Sequence, residues 1–122
     1  MQVDYSIVIP AYNEQQLLTR TVQSLQVAMA ALEAWSGEII VVDNNSTDAT
    51  ASIAASLGAR VVFEPVNQIS RARNCGAAAA VGDYLVFVDA DTTVTPELLR
   101  AALEALVHGN GCGGGARVGS SE

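Results

Sequence analysis

Four short apolar runs, each followed by a segment with helical periodicity, limit this chain to an α/β fold. The runs are rich in β-branched residues and lack polar alternation, which is typical of strands buried on both faces of a sheet. They are YSIVI (residues 5–9), EIIVV (38–42), RVVF (60–63) and LVFV (85–88). Strands that alternate with helices form β-α-β units with right-handed crossovers. The sequence therefore predicts a Rossmann-like parallel sheet with helices on both faces.

The segments between the first three runs carry start and stop signals for helices. Asn13 is expected to cap the first helix, in which apolar residues recur every three or four positions from Leu18 to Leu32. A second, alanine-rich helix is expected over residues 48–57, and Gly58 suits the left-handed position that ends it. We therefore expect one helix in each of these two connections.

Two further helices are expected in the second half of the chain. Ser70 is expected to cap the third, in which Gly76 would allow close packing against a neighbour. Thr95 followed by Pro96 is a strong helix start, because proline fits the first helical position, and this helix is expected to continue to Val107. The predicted order is β-α-β-α-β-α-β-α.

Length and composition favour one domain. The chain has 122 residues, half of them apolar, and lacks the continuous apolar run of a membrane helix. We expect the domain to span residues 1–108, followed by a glycine-rich tail over residues 109–122 in which Ala116–Val118 begins a strand. Because the sequence shows no basic-then-apolar leader, Cys75 and Cys112 are expected to be free structural thiols of a cytoplasmic protein.

The charge of the chain excludes one large class of function. Thirteen acidic residues against six arginines and no lysine give a formal net charge of −7. Nucleic-acid binding through a basic surface is therefore not expected. A phosphate-bearing ligand would have to be held by backbone groups, by arginine or by a metal ion.

Acidic residues follow three of the four predicted strands. Asp89 and Asp91 come directly after the fourth run, Asp43 ends the second, and Glu14 follows the first. The carboxyl ends of parallel strands meet at one edge of a sheet, where ligands bind near the point at which strand order reverses. Two carboxylates side by side repel each other, and a cation would relieve that cost. Mg²⁺ is usually held by one or two carboxylates together with substrate phosphates, so Asp89 and Asp91 predict a metal or substrate site.

Each of the other charged residues also has a structural interpretation. Asp43 is equally well explained as a turn residue or helix cap. Glu14 can simply complement the dipole of the first helix. Arg71 and Arg73 can bind phosphate or pair with the acids, and they can equally form a solvated arginine face.

Two common phosphate-binding motifs do not occur in the sequence, whereas the signature of a different class of enzyme does. The turn after the first strand, PAYNEQ, lacks G-x-G-x-x-G, and G-x-x-x-x-G-K-[ST] does not occur. Asp89, Asp91 and Thr93 match the D-x-D-x-T signature of haloacid-dehalogenase-like phosphatases, in which Asp89 would be the nucleophile. That signature belongs on the first strand of its fold, and the lysine such sites use is missing here.

Four successive segments resemble the motifs of family 2 glycosyltransferases with the GT-A fold. They are SIVIPAYNE (residues 6–14), VVDNNSTDAT (41–50), ARNCGAAAAVGDYLVFVDADT (72–92) and TPELL (95–99). The resemblance covers nearly the whole chain in order and spacing. It implies the nucleotide-sugar-binding portion of a GT-A-like fold, with the C-terminal half incomplete, and a UDP- or GDP-linked sugar as donor.

The same resemblance implies a role for individual residues. The nucleotide-sugar contacts it implies are Pro10, Ala11, Tyr12, Glu14, Asp43, Asn45, Arg71, Asp89 and Ala90. Asp43 would contact the base and Asp89 would approach the ribose. Asp91, together with Asp89 as the D-x-D pair, would hold Mg²⁺ or Mn²⁺ on the diphosphate, where the metal would stabilise the leaving nucleoside diphosphate.

The chain departs from the family pattern in two ways. Many members have DDGSTD where this chain has DNNSTD (residues 43–48), so an amide replaces one carboxylate of the base-binding turn. In the family, the acceptor side and catalytic base lie beyond the D-x-D segment, so we expect this chain alone to lack the base. Besides a glycosyltransferase and a phosphatase, the third interpretation is a non-catalytic remnant that binds a nucleotide without transferring a sugar. The fourth strand is internal in the family fold, so a chain that ends soon after it is expected to leave the edge at residues 85–88 unpaired and to form a homodimer through that edge.

Overall fold

The computed structural model describes residues 3–108 and 115–118, which form five strands and four helices. The strands are β1 (Tyr5–Ala11), β2 (Gly37–Asp43), β3 (Arg60–Phe63), β4 (Tyr84–Val88) and β5 (Gly115–Val118). The helices are α1 (Leu18–Ala31), α2 (Thr50–Ser56), α3 (Ile69–Ala79) and α4 (Pro96–His108). Within these ranges, none of the helices has the length and apolar character needed to cross a membrane.

All strand pairs of the sheet are parallel, in the order β3-β2-β1-β4-β5. β1 is central: it pairs with β2 along its whole length and with β4 from Tyr5 to Val8. The chain moves outward from β1 to β2 and β3, then returns to the other side of β1 to form β4. Strand order therefore reverses between β1 and β4, where a parallel α/β sheet opens a crevice beyond its carboxyl ends. The predicted α/β architecture is confirmed.

Helices cover both faces of the sheet, as the continuous apolar strands predicted. One core contains inward-facing residues of β1, β2 and β4 packed against α1, α2 and α4. The other contains Val8, Ile40 and Val42 packed against Ala72 of α3. A Cβ atom added at Gly76 of α3 would overlap Val8 and lie 2.9 Å from Val42 Cγ2, so the prediction of close packing at this glycine is confirmed.

The end of β1 differs from the prediction. The first apolar run predicts a strand over residues 5–9 that ends before Pro10, but β1 continues to Ala11, and Pro10 pairs with Val42 in the register. The Ala11 carbonyl accepts a hydrogen bond from Asn44 N on the β2 side, so the neighbouring Pro10 nitrogen faces the β4 side. Pairing with β4 has already ended at Val8, and the N–H that proline lacks is not needed there.

The predicted helix caps gave mixed results. Asn13 does not cap α1, which begins at Leu18 after Leu17 with no side-chain cap. Ser70 lies inside α3, which starts after an extended Gln68. Thr95 is confirmed as a cap, because its Oγ1 accepts a hydrogen bond from Leu98 N at 3.1 Å. Gly58, at φ +88°, is confirmed as the left-handed residue that follows α2.

The prediction that the edge of β4 is unpaired is wrong. β5 pairs with β4 in parallel register, from Leu85 opposite Gly115 to Val88 opposite Val118. The expected homodimer through residues 85–88 therefore loses its structural basis. β5 confirms that a strand begins in the glycine-rich tail, whereas residues 109–114 and 119–122 of that tail, including Cys112, lie outside the described residues. Cys75 is a free thiol, as predicted.

Candidate functional site

The loops that follow β1, β2 and β4 lie together at the carboxyl edge of the sheet. These loops, together with the last residues of the strands before them, carry all the predicted site residues except Arg71, which lies in the first turn of α3. Ala11 and Asp43 end the two paired strands and are buried, and Tyr12 beyond them is half exposed. The structure thus brings the three predicted acid-bearing loops to one edge, on both sides of the β1/β4 reversal.

Hydrogen bonds join the β1 loop to the β2 loop. Asn13 N donates to Ser46 Oγ at 3.0 Å, and Asn13 Oδ1 accepts from Thr47 N at 2.8 Å. Glu14 N donates to Thr50 Oγ1 at 2.9 Å. Asn13 therefore connects two loops rather than capping a helix, and its φ of 53° is one that asparagine tolerates better than most residues. The backbone of Glu14 is fixed by this network.

Asp48 is a second junction in the same network. Its Oδ1 accepts hydrogen bonds from Thr50, both from the backbone N–H at 2.9 Å and from the side-chain hydroxyl. Its Oδ2 accepts a hydrogen bond from Gln15 N at 3.3 Å. Desolvation alone would raise the pKa of Asp48, but these hydrogen bonds outweigh it and hold the pKa below its usual value. Asp48 borders a cavity of about 310 Å³ that is also lined by Asn13, Glu14 and Gln15.

Asn44 is a buried residue of the β2 loop whose structural role is not evident from the sequence. It is 5% exposed, and its Nδ2 donates to Glu64 O at 3.0 Å and to Val66 O at 2.6 Å. Its own carbonyl accepts a hydrogen bond from Asn67 Nδ2. A carboxylate at this position could not donate to the two carbonyls. The amide thus ties the β2 loop to the segment after β3, and no local sequence signal indicates these distant partners.

Asp43 and Asn45 flank Asn44 and shape the turn. Asp43 is 8% exposed, and its Oδ1 accepts a hydrogen bond from Ser46 N at 2.9 Å, as the turn interpretation predicts. Asn45 has a φ of 62°, a left-handed conformation, and its Nδ2 donates to Pro65 O at 3.3 Å. Asparagine thus occupies, in this chain, a position where the family pattern has glycine. The role of Asp43 toward a base stays a prediction.

The D-x-D turn after β4 has a fixed backbone and an exposed acid. Thr92 N donates to Asp89 O at 3.1 Å, and the carbonyl of buried Ala90 accepts from Thr21 Oγ1 of α1 at 2.7 Å. Asp91 is exposed and accepts a long hydrogen bond of 3.4 Å from the Thr92 hydroxyl. The turn therefore presents the Asp91 carboxylate to solvent from a backbone that is held in place.

The acids of the three loops interact electrostatically. Burial raises the pKa of Glu14 above its usual value, and the carboxylates of Asp91 and then Asp48 raise it further. Glu14 thus lies in the negative field of residues from the β2 and β4 loops. A bound cation would stabilise the ionised forms of these groups.

The carboxylates suit a hard divalent cation that takes part of its coordination from a ligand. In residues 3–108, no three side chains from His, Cys, Asp and Glu are close enough together to hold a metal ion. Mg²⁺ and similar ions usually bind through one or two carboxylates together with phosphate oxygens. Asp91, with Asp89, fits that donor set.

Arg71 lies on the β3 side of this edge. Its Nε is 3.5 Å from Glu64 Oε2, and both residues line a cavity of about 340 Å³ with Asn74 and Cys75. Glu64 N donates to Asp43 O at 3.0 Å, which links this cavity to the turn at the end of β2. Arg71 is thus connected to the end of β2 through Glu64, with which it forms an ion pair.

Comparison with known proteins decides the family. Residues 6–122 match the family model described as "Glycosyl transferase family 2". The chain belongs to glycosyltransferase family 2. The family 2 resemblance that the four motifs indicated is thereby confirmed.

Two glycosyltransferases of known name align with most of the chain. It is 35% identical over 106 residues to validoxylamine A glucosyltransferase of Streptomyces hygroscopicus subsp. jinggangensis, covering 82% of this chain and 25% of that protein. It is 32% identical over 120 residues to dolichol-phosphate mannosyltransferase of Pyrococcus furiosus, covering 92% of this chain and 32% of that protein. The chain thus spans about a quarter to a third of the length of these relatives.

Solved structures of related transferases share the fold. Glucosyl-3-phosphoglycerate synthase from Mycobacterium tuberculosis, in complex with Mn²⁺, UDP and glucosyl-3-phosphoglycerate, is 31% identical with a TM-score of 0.70, covering 89% of this chain and 41% of that one. S. aureus TarS, in complex with UDP-GlcNAc, is 26% identical with a TM-score of 0.70, covering 86% and 31%. The predicted GT-A-like fold is confirmed. The phosphatase alternative is not favoured, since Asp89 follows the fourth strand of this family 2 fold.

Proposed function

We propose that this chain is the donor-binding part of a glycosyltransferase and binds a nucleoside diphosphate sugar together with Mg²⁺ or Mn²⁺. The observation that carries the proposal is the position of the D-x-D turn. It places exposed Asp91 on the β4 side of the strand reversal, within the electrostatic reach of Glu14 on the β1 side. The UDP and Mn²⁺ named in the related synthase complex support the same ligand chemistry.

The nucleoside is assigned to the β1 and β2 loops. Pro10, Ala11 and Tyr12 would line its pocket with Glu14, while Asp43 and Asn45 would face the base. The half-exposed Tyr12 ring offers an apolar surface beside buried Ala11. Arg71 would lie on the base side, since its partner Glu64 is bonded to Asp43 through the backbone.

The diphosphate is assigned to the β4 side. Asp91 and Asp89 would hold the metal ion, and Ala90 would lie against the donor between them. A divalent cation there supplies positive charge to the departing diphosphate. Glu14 and Asp48 add negative potential to this edge, which favours entry of the cation before or with the nucleotide.

Transfer of the sugar to an acceptor is proposed for the whole enzyme. Within the residues that the structure describes, we assign no side chain as the base that deprotonates an acceptor hydroxyl. Donor binding is therefore the activity to test on this chain. A catalytic enzyme and a non-catalytic remnant both predict donor binding and differ only in whether sugar is transferred.

Calorimetric titration with UDP and with GDP, each with and without Mn²⁺, tests the proposal. We expect binding that strengthens by at least tenfold when Mn²⁺ is present. Asp91→Asn should remove the Mn²⁺-dependent gain, whereas Asp43→Ala should weaken binding with or without metal. Glu104→Gln, which removes one exposed charge on α4, is the matched control and should bind as the unaltered chain does.

A folded sample that gives no heat with either nucleotide would refute the proposal. Equal, small effects of Asp91→Asn and Asp43→Ala would refute the division of roles between the metal side and the base side.

A further inference from the structure

Two hydroxyls of α1 form hydrogen bonds with the backbone of the D-x-D turn and of Val94 just beyond it. Thr21 is 1% exposed, and its Oγ1 donates to Ala90 O at 2.7 Å, a contact between residues 69 positions apart. One turn further along the helix, Ser24 Oγ accepts from Val94 N at 2.9 Å. The two contacts lie on either side of Asp91.

The geometry differs from the usual behaviour of such residues in helices. Serine and threonine in a helix commonly bond to the carbonyl three or four residues earlier. Ser52 and Ser56 of α2 do only this, with Ala49 O at 3.0 Å and Ile53 O at 2.7 Å. Thr21 is 3.4 Å from Leu17 O in its own helix and makes its shorter hydrogen bond to Ala90.

Ser24 combines both kinds of contact. Its hydroxyl donates to Thr21 O at 2.8 Å and accepts from Val94 N, so it joins the helix backbone to the end of the turn. A hydrogen bond from Thr92 N to Asp89 O also closes the turn. The backbone on each side of Asp91 is thus held by α1, while the Asp91 side chain stays exposed.

We infer that Thr21, supported by Ser24, is a positioning residue for the metal-binding carboxylate of Asp91. This inference rests on the proposed function. Valine has nearly the shape of threonine, so packing against the core does not require the hydroxyl. What the hydroxyl adds is a fixed Ala90 carbonyl, and hence a fixed direction for the acid that follows it.

The same helix links the two sides of the proposed site. α1 begins directly after the β1 loop, whose Glu14 N is bonded to Thr50. Through Thr21 and Ser24 it also holds the turn after β4. The β1 loop and the D-x-D turn, which form the two sides of the proposed donor site, are therefore both attached to α1.

The test is the Mn²⁺-dependent gain in UDP affinity, measured by calorimetry for Thr21→Val, Thr21→Ser and Ser24→Ala. We expect Thr21→Val to reduce that gain about tenfold, since loss of one well-aligned hydrogen bond is of that order. UDP affinity without metal should change less than twofold. Thr21→Ser should restore the gain, and Ser24→Ala should reduce it more weakly. Ser52→Ala and Ser56→Ala, which remove helix-surface hydroxyls on α2, should have no effect.

Several results would overturn the inference. One is a folded Thr21→Val variant that keeps the full gain from Mn²⁺. Another is an equal loss of affinity with and without the metal, since that pattern indicates a general structural role. If Thr21→Val fails to fold, an unchanged Mn²⁺-dependent gain in folded Ser24→Ala overturns it.

The failure of this inference can be told apart from failure of the proposed function. If the unaltered chain binds no nucleotide, both fall together. If it binds UDP with a Mn²⁺-dependent gain and Thr21→Val behaves in the same way, only the inference falls.

Discussion

Replacing Asn44 by aspartate tests whether the amide network holds the base side of the site. The change restores the carboxylate of the commoner family motif while keeping the shape of the side chain. In this structure Asn44 Nδ2 donates to two backbone carbonyls, at 3.0 and 2.6 Å, from a residue that is 5% exposed. Asn44→Asp would place a carboxylate oxygen against the same two carbonyls.

The expected cost follows from these contacts. Each lost hydrogen bond contributes about 1 kcal/mol, and a buried polar group left without its partner costs about 1–3 kcal/mol more. We therefore expect Asn44→Asp to lower the free energy of unfolding by about 3–5 kcal/mol at neutral pH. Asn45→Asp is the matched control, because it makes the same charge change at an exposed neighbour with one 3.3 Å contact. Its cost should be about 0.5 kcal/mol.

Urea denaturation followed by circular dichroism measures the difference. With a slope of about 1.5 kcal/mol per molar urea, a difference of about 3 kcal/mol moves the midpoint by about 2 M. The penalty should shrink on acidification. Burial beside carbonyls raises the folded-state pKa of the introduced carboxyl, so its protonated form favours folding and this stability is lost as pH rises through that pKa. Equal midpoints for Asn44→Asp and Asn45→Asp would refute the reasoning.

Three further predictions concern charge and packing elsewhere. Because the folded-state pKa of Glu14 is raised, its ionised form opposes folding. Glu14→Gln should therefore raise the melting temperature at pH 7 by the equivalent of a few tenths of a kcal/mol after solvent screening, and this gain should shrink as pH falls through the raised pKa and be gone below the unfolded-state pKa. Desolvation alone would raise the pKa of Glu38, but hydrogen bonds from Ser6 and Val81 and the nearby charge of Arg60 outweigh this effect, so the pKa is lowered. Ionised Glu38 therefore stabilises the fold at pH values above its unfolded-state pKa. A pH series of melting temperatures should show part of that stability lost as pH falls through the lowered pKa, and Glu38→Gln should remove this component and cost about 1–3 kcal/mol at pH 7. In urea denaturation, Gly76→Ala should cost about 1–3 kcal/mol by overpacking. The cost should be clearly smaller in a Val8→Ala background, where the closer of the two clashing side chains is shortened and only Val42 remains near the added methyl group; additive costs would contradict this account of the packing.

Strands and helix ends were predictable where the signal is local. The four continuous apolar runs gave strands at the expected places because burial on both faces leaves a recognisable composition. Thr95 was predictable as a cap because its partner is three residues away. The role of Asn13 was not predictable, since its side chain accepts a hydrogen bond from Thr47, 34 positions along the chain. β5 was foreseen only as a beginning strand, and its pairing with β4 could not be deduced from four residues.

The same distinction applies to the candidate site. The acids at the strand ends could be predicted because parallel strands deliver their carboxyl ends to one edge. The roles of Asn44 and Thr21 could not be predicted, because their hydrogen-bond partners are 20 to 69 positions away and become neighbours only when the sheet and helices have formed. Loop-to-loop contacts of this kind depend on the tertiary fold rather than on residue propensity.

Paramagnetic broadening of backbone amide signals by Mn²⁺ tests most directly whether the metal binds at the D-x-D turn with the nucleotide. In the presence of UDP, substoichiometric Mn²⁺ should broaden the amides of Ala90 to Thr92 and those of the β1 loop at Tyr12 and Glu14. Gly37 begins β2 at the opposite end of the sheet, about 20 Å away at 3.3 Å per residue, and its amide should stay sharp. Broadening centred away from residues 89–92, or no selective broadening with UDP present, would contradict the account.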